Sequence, residues 1–135
     1  KKKIKGDKTT PVGTFKLGSL YYRADRKSKP ETKLKCKVIN KNLGWCNDSS
    51  NKKYNKEINI SKKIKHEKLF RRDYKYNYFI PIKYNYIKTI PNKGSAIFIH
   101  LTKNYKPTVG CIGLLEKDFK IIIKLIDKNT KIKII

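Results

Sequence analysis

The period of the hydrophobic pattern changes several times along the chain, and each change predicts an element. GDKTTPVG (residues 6–13) gathers Gly, Asp, Thr and Pro and predicts a loop, after which TFKLGSLYY (14–22) predicts a short strand. KLKCKVI (33–39) alternates cleanly, with Leu34, Cys36 and Val38 on one side and Lys33, Lys35 and Lys37 on the other, as in a half-buried strand. Residues 44–57, GWCNDSSNKKYNKE, have loop composition yet contain Trp45 and Tyr54, large side chains that an idle surface loop seldom needs. From Ser61 to Tyr76 charge is mixed with Leu69, Phe70 and Tyr74, which suits a short helix or an ordered loop. YNYFIPIKYNY (76–86) predicts a strand in which Pro81, lacking an N–H for the ladder, marks an edge or an irregularity.

The C-terminal third is more sharply patterned. SAIFIHL (95–101) predicts an apolar strand with Ala96, Phe98 and His100 on one face. In LEKDFKIIIKLIDKN (115–129), Leu115, Phe119, Ile122, Ile123 and Ile126 recur at helical spacing, with Asn129 as a left-handed terminator, and TKIKII (130–135) predicts a closing strand. The expected fold class is mainly β with one helix near the C-terminus, and there is no internal repeat or linker.

Length and composition narrow the picture. A chain of 135 residues holds one domain with a real core. Thirty-five Lys and Arg against ten Asp and Glu give a formal charge of +25, which at first suggests a polyanion partner. The basic residues are almost all Lys, spread over the whole length among abundant Ile and Asn, so a solvated lysine surface is favoured over a dedicated nucleic-acid face and no specific nucleic acid is expected. No run approaches the eighteen or so apolar residues of a membrane helix, and KKKIK is not followed by the apolar stretch of a signal peptide. The folded part is therefore expected to be soluble, without a transmembrane segment. The chain begins without Met, close to a turn-rich motif, as a processed or truncated piece would. Cys36, Cys46 and Cys111 form no CxxC pair and only His66 and His100 accompany them, so neither a metal nor a cofactor is expected. Cys36 and Cys46 are compatible with a disulfide in an oxidising compartment or with two buried thiols.

The chemistry worth testing lies between His100 and Cys111. A thiol at its ordinary pKa is only about 3% thiolate at neutral pH, and a nearby imidazole can take its proton. Gly110, directly before Cys111, lets backbone approach a substrate and turns amide N–H groups toward a developing oxyanion. The residues from Leu101 to Gly110 are long enough for the chain to leave one strand and return beside it. From spacing alone, a buried thiol and an unrelated histidine account for the two residue types better than a catalytic couple does; the wider pattern shifts the balance.

HLTKNYKPTVGCIGL (100–114), with His100, Thr108, Gly110 and Cys111, resembles the active-site signature of the YkuD-type L,D-transpeptidases, an upstream His followed by Ser or Thr, a variable residue, Gly and the catalytic Cys. TPVGTFKL (10–17) resembles that family's Thr-Pro-x-Gly-x-Phe opening. GWCNDSSNKKYN (44–55) and HEKLFRRDYKYNYFIPIKYN (66–85) are similar to blocks of a bacterial branch that reads Trp-Cys-Asp-Asp, Tyr-Asn, then His-Glu-x-Leu with Arg-x-Asp. Many members carry a His before the Gly-Cys pair and an Asn or Arg two residues after the Cys, where this chain has Val109 and Gly113; its short His-to-Cys separation is shared by the branch.

The resemblance implies one catalytic domain over residues 1–135, cut short at its N-terminus, with mixed β sheets in a sandwich and a helix after the catalytic cysteine. It implies that Cys111 attacks the diaminopimelate carbonyl of a peptidoglycan stem tetrapeptide and that D-alanine leaves. His100 would act as base and then acid, the Leu101 carbonyl would orient the imidazole, and the Gly110 and Cys111 amides would hold the oxyanion. Thr108 and Val109 would shape the substrate site. Trp45, Tyr54, His66 and Glu67 are candidates for a substrate wall, or else an aromatic anchor and a surface pair. The implied location is periplasmic or cell-wall associated. A hydrolase of the same chemistry, cutting L,D bonds or wall-protein links, is the nearer alternative; a basic module that binds nucleic acid or anionic polymer without catalysis is the more distant one.

Overall fold

The computed structural model describes residues 11–86, 89–90, 94–104 and 110–135. Alternating apolar residues build a five-stranded mixed sheet from β2 (Leu20–Tyr22), β3 (Cys36–Val38), β7 (Tyr78–Pro81), β8 (Phe98–Leu101) and β9 (Ile112–Leu114), in the order β3-β2-β7-β8-β9. The pairs β2–β3 and β8–β9 are parallel, and the two pairs between them are antiparallel. A second, antiparallel sheet has the order β5-β4-β6, from β4 (Leu43–Cys46), β5 (Glu57–Asn59) and β6 (His66–Lys68). The first strand, β1 (Gly13–Lys16), pairs with the last, β10 (Lys131–Ile134), and α1 (Glu116–Leu125) lies between β9 and β10 in sequence. The molecule is mainly β, as expected.

Period two decides what each face of the large sheet buries. Leu20, Tyr22, Tyr78, Ile80, Ile99 and Leu101 form one core with Phe119 and Ile123 of α1. Tyr21, Phe79 and Phe98 turn the other way and form a second core with Leu43, Trp45 and Leu69 from the small sheet and its flank. Aromatic rings fasten that interface: Tyr21 stacks on Phe79 at 4.6 Å, Phe79 meets Phe98 at 4.6 Å, and Trp45 stands edge-on to Phe98 at 5.1 Å. Glu116 and Asp118 in the first turn of α1 and Lys124 in its last complement the helix dipole, although no side chain caps the N-terminus. Among the described residues no helix is long and apolar enough to cross a membrane.

Several expectations need correction. TFKLGSLYY is two strands, broken around Gly18, whose N–H donates to the Pro81 carbonyl. KLKCKVI does not keep one buried side: Leu34 and Ile39 are buried in different cores while Val38 is 51% exposed, because β3 is an edge strand paired only with β2. The supposed loop at 44–57 contains most of β4, central in its sheet and buried at all four residues, so it shows no alternation. No helix forms over 61–76, where β6 sits among turns. Pro81 lies at the end of a central strand, an irregularity and not an edge. The helix stops at Leu125, before Asn129, which belongs to a turn closed by Asp127 and does not have positive φ.

The helix also buries a narrower stripe than its spacing suggested, with Phe119 and Ile123 inside and Ile122 38% exposed. Phe119→Ala is expected to destabilise the protein by about 3–5 kcal/mol, whereas Ile122→Ala costs less than about 1 kcal/mol. Urea unfolding of the two variants checks this; equal losses would mean that α1 docks through a different face.

Candidate active site

His100 enters the site because β8 alternates. Ile99 and Leu101 point into the helix-side core, so Phe98 and His100 point toward the small sheet. Cys111 enters because β9 returns parallel to β8, with Ile99 opposite Ile112 and His100 opposite Gly113. One step back along that register Cys111 lies beside Phe98, whose N–H donates to the sulfur at 3.5 Å. Strand spacing and rise then put the Cα atoms of His100 and Cys111 about 8 Å apart as diagonal neighbours. Cys111 Sγ donates to the Ala96 carbonyl at 3.3 Å. Gly110 has φ 81°, a left-handed conformation that glycine adopts without Cβ strain just before Cys111.

The imidazole is buried and its tautomer is fixed. Nδ1 lies 2.8 Å from the Leu101 carbonyl, which only accepts, so Nδ1 carries the proton and Nε2 is left with its lone pair. Burial pushes the imidazole below its ordinary pKa of 6.5, with Lys75 and Arg71 pushing the same way, while the Leu101 hydrogen bond and Asp73 oppose them. His100 is therefore a neutral base at neutral pH.

Tyr76 forms the wall of this site. Its ring lies 5.8 Å from that of His100 and 5.6 Å from that of Phe98, and its hydroxyl donates to Glu67 Oε2 at 3.0 Å. Burial first, then the negative charges of Glu67 and Cys111, push the phenol well above its ordinary range, so it stays protonated. Burial likewise raises the Glu67 carboxyl, against the Tyr76 hydrogen bond and the charge of Arg71. The Arg71 guanidinium sits 4.8 Å over the Tyr76 ring and pairs with Asp73.

The other sequence-predicted residues are distributed unevenly. Trp45 and Tyr54 are 3% and 2% exposed and act as internal supports: Trp45 Nε1 donates to Asn55 Oδ1 at 2.9 Å, and the Tyr54 hydroxyl accepts from the Gly94 N–H at 3.1 Å. His66 is half-buried in an open cleft with Asn47, Asp48 and Lys62–Lys65, its Nδ1 2.8 Å from the Ile64 carbonyl. Glu67, its neighbour on β6, turns away from that cleft and accepts from the Tyr76 hydroxyl, whose ring lies beside His100. Thr108 and Val109 lie outside the described residues. No disulfide joins Cys36, Cys46 and Cys111 to one another. Sequence reasoning missed Tyr76, Asn55 and Ala96. Tyr76 precedes β7 and does not follow its alternation, while Asn55 was visible only as the second half of the Tyr-Asn block.

A thiol that accepts from the Phe98 N–H and donates to the Ala96 carbonyl, on the same sheet face as a buried neutral imidazole, is suited to attack on a carbonyl. The family model of YkuD, the L,D-transpeptidase catalytic domain, matches residues 1–134. No match is found among curated proteins or among solved structures. A match over nearly the whole length, on a mainly β fold with the helix after the cysteine, means that the chain belongs to the YkuD family of L,D-transpeptidase catalytic domains, which act on peptidoglycan stem peptides.

Proposed function

We propose that the protein is a cysteine acyltransferase that attacks the bond between diaminopimelate and D-alanine in a peptidoglycan stem tetrapeptide. The observation that carries this proposal is the imidazole of His100, oriented by the Leu101 carbonyl at 2.8 Å on the sheet face shared with Cys111. Nε2 of His100 takes the thiol proton as Cys111 Sγ bonds to the diaminopimelate carbonyl carbon. The oxyanion that forms is held by the Gly110 and Cys111 amides. The intermediate collapses by breaking the C–N bond, His100 returns the proton to the departing D-alanine amine, and a thioester remains. An amine of a second stem peptide then takes the acyl group and restores the thiol, leaving a cross-link; water in its place gives hydrolysis. The substrate places the reaction in the periplasm or at the wall, and no step needs a metal or cofactor.

Incubation with purified stem tetrapeptide, read by mass spectrometry, is expected to give free D-alanine with cross-linked dimer, or with tripeptide where water is the acceptor. Cys111→Ser is expected to abolish both products and His100→Ala to slow them by about 10²–10⁴-fold, with circular dichroism unchanged. Turnover by folded Cys111→Ser would rule out the thioester route.

The lowered imidazole pKa sets a pH profile. A base must be neutral to act, so the acid limb of kcat/KM is expected below 6.5, the ordinary imidazole value. An acid limb above 6.5 would place His100 in a different role. The same shift costs stability in acid, because the unfolded chain binds the proton more tightly than the folded one. That contribution is whole above 6.5 and is lost as pH falls through the lower folded value.

Thiol reactivity gives a check that needs no substrate. Burial raises the Cys36 thiol against a weaker opposing effect of Lys29, and Cys46 is fully buried. Limited alkylation with peptide mapping is expected to modify Cys111 first between mildly acidic and neutral pH, and His100→Ala to slow it. Equal rates at all three thiols would remove the His–Cys couple.

A further inference from the structure

Asn55 is a buried asparagine outside the set assigned so far, and its side chain makes four hydrogen bonds to three parts of the fold. Oδ1 accepts from Trp45 Nε1 at 2.9 Å and from the Ala96 N–H at 3.1 Å. Nδ2 donates to the carbonyls of Tyr84 and Asn85, each at 2.8 Å. One end of the amide is thus rooted in β4 and the other in the chain that leaves β7. What it holds between them is Ala96.

Ala96 has φ 56°, the left-handed region that a residue with a Cβ avoids. Hydrogen bonds on both sides hold it there. Its N–H is taken by Asn55, and its carbonyl accepts from Cys111 Sγ at 3.3 Å. Two residues on, Phe98 lies in β8 and gives the same sulfur its N–H at 3.5 Å. The sulfur therefore rests between an acceptor set by the Ala96 kink and a donor set by the sheet. The ladder fixes the donor whatever happens at residue 55; the position of the acceptor depends on the kink.

We propose that Asn55 is a positioning residue for the nucleophile: by holding Ala96 left-handed it aims the Ala96 carbonyl at the Cys111 sulfur and fixes where the thiol waits before its proton passes to His100. The proposal rests on the assignment of Cys111 as nucleophile. Removing the amide would leave the Trp45 and Ala96 N–H groups and two carbonyls without this partner, so Ala96 would relax toward an ordinary conformation and its carbonyl would leave the sulfur. An acceptor favours S–H and a donor favours the thiolate; losing the first and keeping the second makes the thiol easier to ionise but worse placed.

The test compares the unaltered chain, Asn55→Ala, and Asn55→Ala combined with Ala96→Gly. Two readouts are used: tetrapeptide turnover, and the pH profile of Cys111 alkylation by iodoacetamide with peptide mapping. Asn55→Ala is expected to lower kcat by about tenfold or more with KM within about twofold, since a small misplacement of a reacting group is costly. Its Cys111 profile is expected to move to lower pH. Adding Ala96→Gly is expected to recover part of kcat and move the profile back, because glycine adopts this φ without a Cβ penalty. A role confined to stability would lower the melting temperature, leave the Cys111 profile of the folded protein in place and gain nothing from glycine; that result overturns the proposal. Should Asn55→Ala not fold, Asn55→Asp decides by the same readings. It keeps the Oδ1 acceptor and replaces the Nδ2 donor with an oxygen facing two carbonyls. If the unaltered protein turns over no stem peptide, the proposed function falls, while the alkylation profiles still decide the role of Asn55.

Discussion

The register of β8 is the constraint on which both the fold and the site depend. The strand is pinned on two sides, antiparallel to β7 with Phe79 opposite His100, and parallel to β9 with His100 opposite Gly113. A slip of one residue would exchange its faces, driving His100 into the core beside Phe119 and turning Ile99 and Leu101 toward the small sheet. The interlocked rings of Phe79, Phe98 and Trp45 oppose that slip, because it would take Phe98 out of its contacts with both partners. Packing of the second core and presentation of the imidazole are therefore one and the same requirement.

Burial sets the chemistry as well as the stability. Taking His100 out of water favours its neutral form, and Lys75 and Arg71 add to the effect. In a chain of formal charge +25, those two cations at the site tune a base even though most of the lysine surface is solvated. The Tyr76–Glu67 pair stays close without undoing this: burial raises both groups, so Tyr76 remains a hydrogen-bond donor and offers His100 a ring face instead of a negative charge. A neutral resting imidazole follows from a desolvated site, whereas an imidazolium there would lack its water.

The legible parts of the chain were those where one face is buried and the other is wet. Phe119 and Ile123 on α1 and the alternation of β10 could both be read from period alone, whereas β8, buried at all four residues, was legible as a short apolar run. Period fails where both faces are covered. Leu43–Cys46 is buried at every position and carries no alternation, and Gly44 gave it loop composition. It also fails at edges, where Val38 lacks a neighbour to cover it. The site was half legible for a related reason. His100 and Cys111 carry chemistry in their side chains, and the Gly-Cys step marks a turn. The Leu101 carbonyl was reached through the family resemblance, and the acceptor from Ala96 and donor from Phe98 are backbone groups that no residue type announces.

Backbone strain among the described residues follows the same geography. The non-glycine residues with positive φ are Asn55, Asn85 and Ala96, and all three belong to one hydrogen-bonded cluster, since the Asn55 amide reaches both the Asn85 carbonyl and the Ala96 N–H. Asparagine tolerates the left-handed region because its short side chain bonds locally, and Asn85 does so by accepting from the Ile90 N–H at 2.7 Å and donating to the Gly94 carbonyl at 3.0 Å. Alanine has no such means. A conformation that costs about 1–3 kcal/mol persists only where its surroundings over-determine it, and at Ala96 those surroundings are a buried amide on one side and a thiol on the other. Strain scattered at random would have no reason to end on a sulfur atom. Its concentration there means that the small sheet, through Trp45 and Asn55, does more than cover the second core: it sets the backbone against which the cysteine rests.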